Sequence, residues 1–149
     1  MYGYMLIAYE EAEKAYMRGE VPVGAVIVKD GSVIARAGNE CEKSGDPLAH
    51  AEMLAIRRAQ AVTGSGRLAG CEMYVTLEPC PMCAGAIAHS GISKTVFGAY
   101  DTELGAFGSY INIANSPGAS GMEVYGGIME SECSGLIKEF FKNVRTGKE

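Results

Sequence analysis

The chain has 149 residues, 48% hydrophobic and 21% charged, the size and balance of one globular domain spanning residues 1–149. No apolar run reaches the roughly 20 residues of a membrane span, the early acidic residues exclude a basic leader, and an odd five cysteines argue for reduced thiols in the cytoplasm. A formal net charge of -5 excludes a surface that binds nucleic acid all over, so a polyanionic substrate needs a local positive patch.

Apolar residues at Tyr2, Met5, Leu6, Tyr9, Ala12 and Tyr16 recur at helical period, and Gly19 ends that segment. "VPVGAVIV" (21–28) and "SVIARA" (32–37) are strand-like, and the Asp30-Gly31 between them predicts a hairpin. Asp46-Pro47 reads as an N-cap followed by proline at the first helical position, opening a helix that runs to Thr63-Gly64. "EMYVTL" (72–77) reads as a strand, "PMCAGAIAHS" (81–90) as a helix closed by Gly91, and "KTVFGA" (94–99) as another strand. That unit predicts a parallel pair with a right-handed crossover. A Gly-rich stretch (100–121), a short strand near "MEVYG" and an amphipathic helix from Ser131 to Val144 complete a layered α/β domain.

Chemistry concentrates at "LEPCPMCAGA" (77–86). A C-x-x-C placed there has three readings: half a metal site, a redox pair, or two core thiols. Cys80 and Cys83 are three apart at a helix start, where unpaired N–H groups and the helix dipole favour the thiolate. His89 lies at the far end of the same helix, while His50 lies near the start of the other central helix in "AHAEM", with Glu52 two residues on. If the two helices lie side by side, His50, Cys80 and Cys83 supply three ligands and leave a fourth position open, the catalytic zinc arrangement. Glu52 poses a difficulty, because residues i and i+2 diverge on a regular helix. The geometry requires the ion to sit by the first turn with Glu52 reaching round behind it. H-x-E followed by P-C-x-x-C is also a known pairing of the zinc-dependent nucleobase deaminases.

Over nearly its whole length the chain resembles the bacterial tRNA-specific adenosine deaminases, within the wider cytidine deaminase superfamily. "GEVPVGAVIV", "AHAEMLAI", "RLAGCEMYVTLEPCPMCAGAIAHS", "VFGAYD" and "ECSGLIKEFF" carry the resemblance. It implies a three-layer α/β/α fold on a five-stranded mixed sheet, a homodimer, and one zinc ion per subunit held by His50, Cys80 and Cys83. Glu52 would be the proton shuttle. Asn39 matches an asparagine that touches the flipped nucleoside, Val23 a pocket-wall valine, Asp101 an aspartate near a neighbouring ribose, and Phe141 an aromatic beside the anticodon loop or a core contact. The implied reaction is hydrolytic deamination of adenosine to inosine at the wobble position of a tRNA anticodon.

Two other readings stay open. The segment before the last strand, "NSPGASGMEV", is about one residue shorter than the family pattern, and Tyr100 stands where a basic residue is common. The altered segment, with the acidic net charge, suits a deaminase of a free nucleobase or nucleoside of guanine, cytosine or adenine type. Lys138, Lys142, Arg145 and Lys148 form either an RNA-binding stripe or the solvated face of a terminal helix. The other reading is a non-catalytic zinc domain whose fourth ligand is Cys41 or Cys71.

Overall fold

The computed structural model describes residues 1–145, with Arg145 described by its backbone alone. Five α-helices, two short 3-10 helices (Ile113–Asn115 and Pro117–Ala119) and five strands occur among these residues, with a sheet order β2-β1-β3-β4-β5. Helix α1 is Tyr2–Met17, and the hairpin is β1 (Gly24–Lys29) with β2 (Ser32–Gly38). Its turn has positive φ at both Asp30 (50°) and Gly31 (76°), which matches the twist of the flanking strands and suits Asp-Gly. β1 starts three residues later than the apolar run predicts. Pro22 offers no N–H to a ladder, and the Val23 N–H instead donates to the Val21 carbonyl at 2.8 Å.

α2 (Cys41–Ser44) and α3 (Ala51–Thr63) follow, then β3 (Cys71–Leu77), α4 (Pro81–Ser90) and β4 (Lys94–Ala99). β1 pairs antiparallel with both β2 and β3, while β3–β4 and β4–β5 (Glu123–Tyr125) are parallel. The sheet is therefore mixed, and α4 is the crossover between its central parallel strands. Helix α5 spans Glu130–Arg145.

Alternation along the strands divides the apolar residues between two layers. Ala25, Ile27, Met73, Val75 and Phe97 join Ala55, Ile56, Ala84 and Ile87 in the core under α3 and α4. Val26, Val28, Tyr74 and Val96 join Met5, Ala8 and Cys133 under α1 and α5. This is the three-layer α/β/α arrangement. α1 lies so close on β1 that a Cβ at Gly24 would sit 2.0 Å from the Ala8 carbonyl oxygen.

One helix boundary differs from the sequence expectation. α3 begins at Ala51, several residues after Asp46-Pro47. Asp46 spends its carboxylate on the Leu48 N–H (2.9 Å) in a local turn, so it caps no helix. The residue that does precede the helix is His50, and this places the chemistry.

Candidate active site

Two helix starts meet at one edge of the sheet. His50 is the N-cap of α3 (φ -70°, ψ 152°) and Cys80 the N-cap of α4 (φ -72°, ψ 172°), both in extended backbone. Pro81 occupies the first helical position of α4, where the missing N–H costs nothing. Cys83 then lies in the first turn. Because His50 is outside the helix, it does not obey the helical spacing that separated it from Glu52. Glu52 points inward with 4% exposure while His50 reaches across to α4.

His50 Nδ1 lies 3.8 Å from Cys80 Sγ and 3.5 Å from Cys83 Sγ, and the three ligand atoms all fall within 4.8 Å of one another. Bond lengths of about 2.3 Å to sulfur and about 2.0 Å to nitrogen at a tetrahedral angle put the two atoms roughly 3.5 Å apart. The three side chains therefore fit one zinc ion. No fourth histidine, cysteine or carboxylate among the described residues joins the cluster.

The electrostatics suit a cation. The hydrogen bond from the Cys83 thiol holds Cys80 down to about 4 against the effect of burial, and His50 pulls in the same direction. That same bond, together with burial, pushes the Cys83 thiol up. His50 is raised, chiefly by its hydrogen bond to Cys80. Burial pushes Glu52 up to about 7, with the neighbouring imidazole opposing it. Two sulfurs and an imidazole that converge so closely offer a divalent cation ligands whose negative charge it would stabilise.

Comparison with known proteins agrees with this geometry. The profile of the cytidine and deoxycytidylate deaminase zinc-binding region matches residues 2–99. A tRNA-specific adenosine deaminase of Bacillus subtilis is 46% identical over 147 residues, 98% of this chain and 91% of its own length. The chain belongs to the cytidine and deoxycytidylate deaminase family, among its tRNA-specific adenosine deaminases. A solved structure from work on A-to-I editing by tRNA:A34 deaminases superposes on it with a TM-score of 0.86 at 44% identity, covering 90% of this chain and 98% of the other. A guanine deaminase from Nitrosomonas europaea superposes with a TM-score of 0.81 at 27% identity, covering 93% and 83%.

The remaining cysteines of this deaminase stand apart from the metal-binding set. Cys71 begins β3, and Cys80 follows the other end of that seven-residue strand, roughly 20 Å away. Cys133 belongs to α5 and is buried on the opposite face of the sheet. Cys41 has its sulfur 3.9 Å from the Pro47 carbonyl oxygen. None of the three belongs to the cluster.

The other sequence-predicted residues fall into two places. Asn39, buried at the end of β2, accepts the Ala51 N–H through Oδ1 at 2.7 Å and so satisfies the first orphan donor of α3. Val23 is buried in the core on the α3–α4 side, and its carbonyl accepts the Asn39 N–H. Asp101 and Phe141 line a separate cavity of about 540 Å³ with Val21, Leu77, Tyr100 and Lys138. Phe141 is 47% exposed, so it is no core contact. Of the C-terminal basic stripe, Lys148 and the Arg145 side chain lie outside the described residues.

Sequence reasoning passed over Glu78. It is 1% exposed, directly after β3, and its carboxylate holds the loop that carries Asp101. A charged residue placed between an apolar strand and P-C-x-x-C was the available signal.

Proposed function

We propose that this chain, as a single deaminase domain, converts adenosine to inosine at the wobble position of a tRNA anticodon loop. His50, Cys80 and Cys83 hold one zinc ion per subunit, and Glu52 carries the proton. The observation that carries the reading is three ligand atoms within 4.8 Å beside a buried carboxyl that is not one of them. A structural zinc site closes its fourth position with protein and needs no such carboxyl.

Zinc, when bound, lowers the pKa of water from 15.7 to about 7 and so supplies hydroxide at neutral pH. Glu52 would take a proton from the attacking water and deliver it to the purine ring nitrogen beside the reacting carbon as hydroxide adds to that carbon; it would then take the second proton from the new hydroxyl and pass it to the amine, so that the C–N bond breaks, ammonia leaves and the carbonyl of inosine forms. Glu52, 4% exposed in the first turn of α3, would stand beside the ion without ligating it. Asn39 has its oxygen committed to Ala51, which leaves its amide N–H₂ to meet the nucleoside. Val23 backs the pocket. Asp101 and Phe141, across their shared cavity, receive a flanking ribose and base, and the exposed Lys138 beside them meets phosphate.

We further infer a cytoplasmic homodimer. Leu104, Tyr110 and Ile111 offer exposed apolar surface for a second subunit to cover. No described helix is long and apolar enough to cross a membrane.

The likeness to a guanine deaminase, at 27% identity, favours a free base as the second reading. Incubation with anticodon stem-loop RNA and, separately, with guanine, cytosine and adenine, following ammonia, decides between them. Ammonia from the RNA, with inosine at the wobble position, is expected. Ammonia from free bases alone would reject the tRNA reading.

A further inference from the structure

The two segments that frame the chemistry, 78–80 and 101–109, are joined by one buried carboxylate. Glu78 Oε1 accepts the Asp101 N–H at 3.1 Å, and Oε2 accepts the N–H groups of Phe107 (3.0 Å) and Ser109 (3.1 Å). The Ser109 hydroxyl donates to Oε1 as well. Four donors fill the acceptor capacity of a carboxylate. Charge-assisted bonds of this kind are about twice as strong as neutral ones. None of the ion pairs among the described residues involves Glu78, so the backbone N–H groups do the work of a counter-ion.

The loop is shaped around that carboxylate. A Cβ at Gly105 would sit 2.3 Å from the Glu78 carboxyl carbon, so only glycine lets the chain pass so closely. The Ala106 N–H donates to the Pro79 carbonyl at 2.8 Å, tying down the residue just before Cys80. On the strand side the Glu78 N–H donates to the Ala99 carbonyl at 2.8 Å, continuing the β3–β4 pairing beyond the strand. Asp101 uses one side-chain oxygen to accept the N–H groups of Glu103 and Leu104, so its orientation depends on the loop it sits in.

We propose that Glu78 is a positioning residue for substrate: through the 101–109 loop it fixes Asp101 at the cavity shared with Phe141, and thereby the fit of the nucleic acid. The proposal rests on the reading that Asp101 meets substrate. Cys80 is anchored on its other side by α4, whereas the loop holds its shape through these bonds, so loss of the carboxylate acts on the loop and leaves the metal ligands in place.

The experiment compares zinc-loaded wild-type and Glu78→Gln protein, measuring KM and kcat on the substrate that the wild type deaminates, zinc per chain, and amide exchange at Asp101, Phe107 and Ser109. A glutamine keeps one acceptor oxygen and turns an N–H₂ towards N–H donors. Expected are a tenfold or greater rise in KM, kcat within threefold, unchanged zinc, and at least tenfold faster exchange of the three amides. Ser109→Ala, which removes only the hydroxyl, is expected to raise KM less and to add little on top of Glu78→Gln; it serves alone if Glu78→Gln does not fold. Unchanged KM with faster exchange, raised KM with unchanged exchange, or loss of zinc would each overturn the proposal. A wild type that deaminates only free bases overturns the tRNA reading and with it the effect on KM, whereas unchanged exchange of the three amides in Glu78→Gln would overturn the role of Glu78 in holding the loop whatever the substrate.

Discussion

Glu52 and Cys83 both lie in the first turn of a helix at the site but are assigned different work, and substitution separates the two roles. Glu52→Ala leaves all three ligand atoms in place, so zinc per chain stays at one while turnover falls by roughly 10²- to 10⁴-fold, the range for a lost general acid–base group. Cys83→Ala removes a ligand from the buried side of the cluster and is expected to lose zinc and turnover together. Metal analysis alongside ammonia release reads both, and an active Glu52→Ala protein would sink the assignment. Cys41→Ser and Cys71→Ala test the closed-site reading by the same metal analysis. Cys71 lies a full strand away from Cys80, so zinc content should not change in either variant.

At the scale of the element, the helix starts decide how the site is assembled. α4 was legible because its signals are local: proline in the first helical position and Gly91 with φ 79° at the end. The start of α3 was misplaced because Asp46-Pro47 carries the same local chemistry. The group that satisfies α3, Asn39, lies twelve residues upstream on the end of β2, where no local pattern points to it. Glu78 was missed for the same reason, since its partners lie 23 to 31 residues downstream. The cluster of His50, Cys80 and Cys83 was legible because so few residue types bind zinc and the chain has only two histidines. Asn39 itself gives a test that separates cap from substrate contact. Asn39→Asp keeps the acceptor for Ala51 and places negative charge at a helix N-terminus, so the unfolding midpoint should hold. Its lost N–H₂ should raise KM at least tenfold. Asn39→Ala should also lose about 1 kcal/mol of stability in denaturant titration.

For the whole molecule, charge decides both stability against pH and capture of RNA. Glu11 joins α1 to β2 through Arg36 (2.8 Å) and also meets Lys14 (3.1 Å). Burial opposes ionisation there, but the hydrogen bonds from Arg36 and Lys14 outweigh it and hold the carboxyl below its ordinary value. A depressed folded-state pKa contributes stability that is present above the unfolded value, roughly 4.3, and is lost as pH falls through the folded one. Glu11→Gln should therefore lower Tm at neutral pH, with the gap to wild type closing as pH falls below about 4. Capture of RNA follows from the opposite sign of charge. Thirteen Lys and Arg against eighteen Asp and Glu leave no general attraction for a polyanion, so affinity must come from a few cations beside the cavity. Each phosphate neutralised on single-stranded nucleic acid contributes about -0.7 to the slope of log K against log salt. A slope of only about -1.5 to -2 is expected for anticodon stem-loop binding, measured by fluorescence titration from low to physiological salt. Lys138 lines the cavity with Asp101 and Phe141, and Lys138→Ala should make that slope shallower by about 0.7 while kcat holds. A slope that Lys138→Ala leaves unchanged would move the phosphate contact away from α5 and with it the path of the RNA across this face.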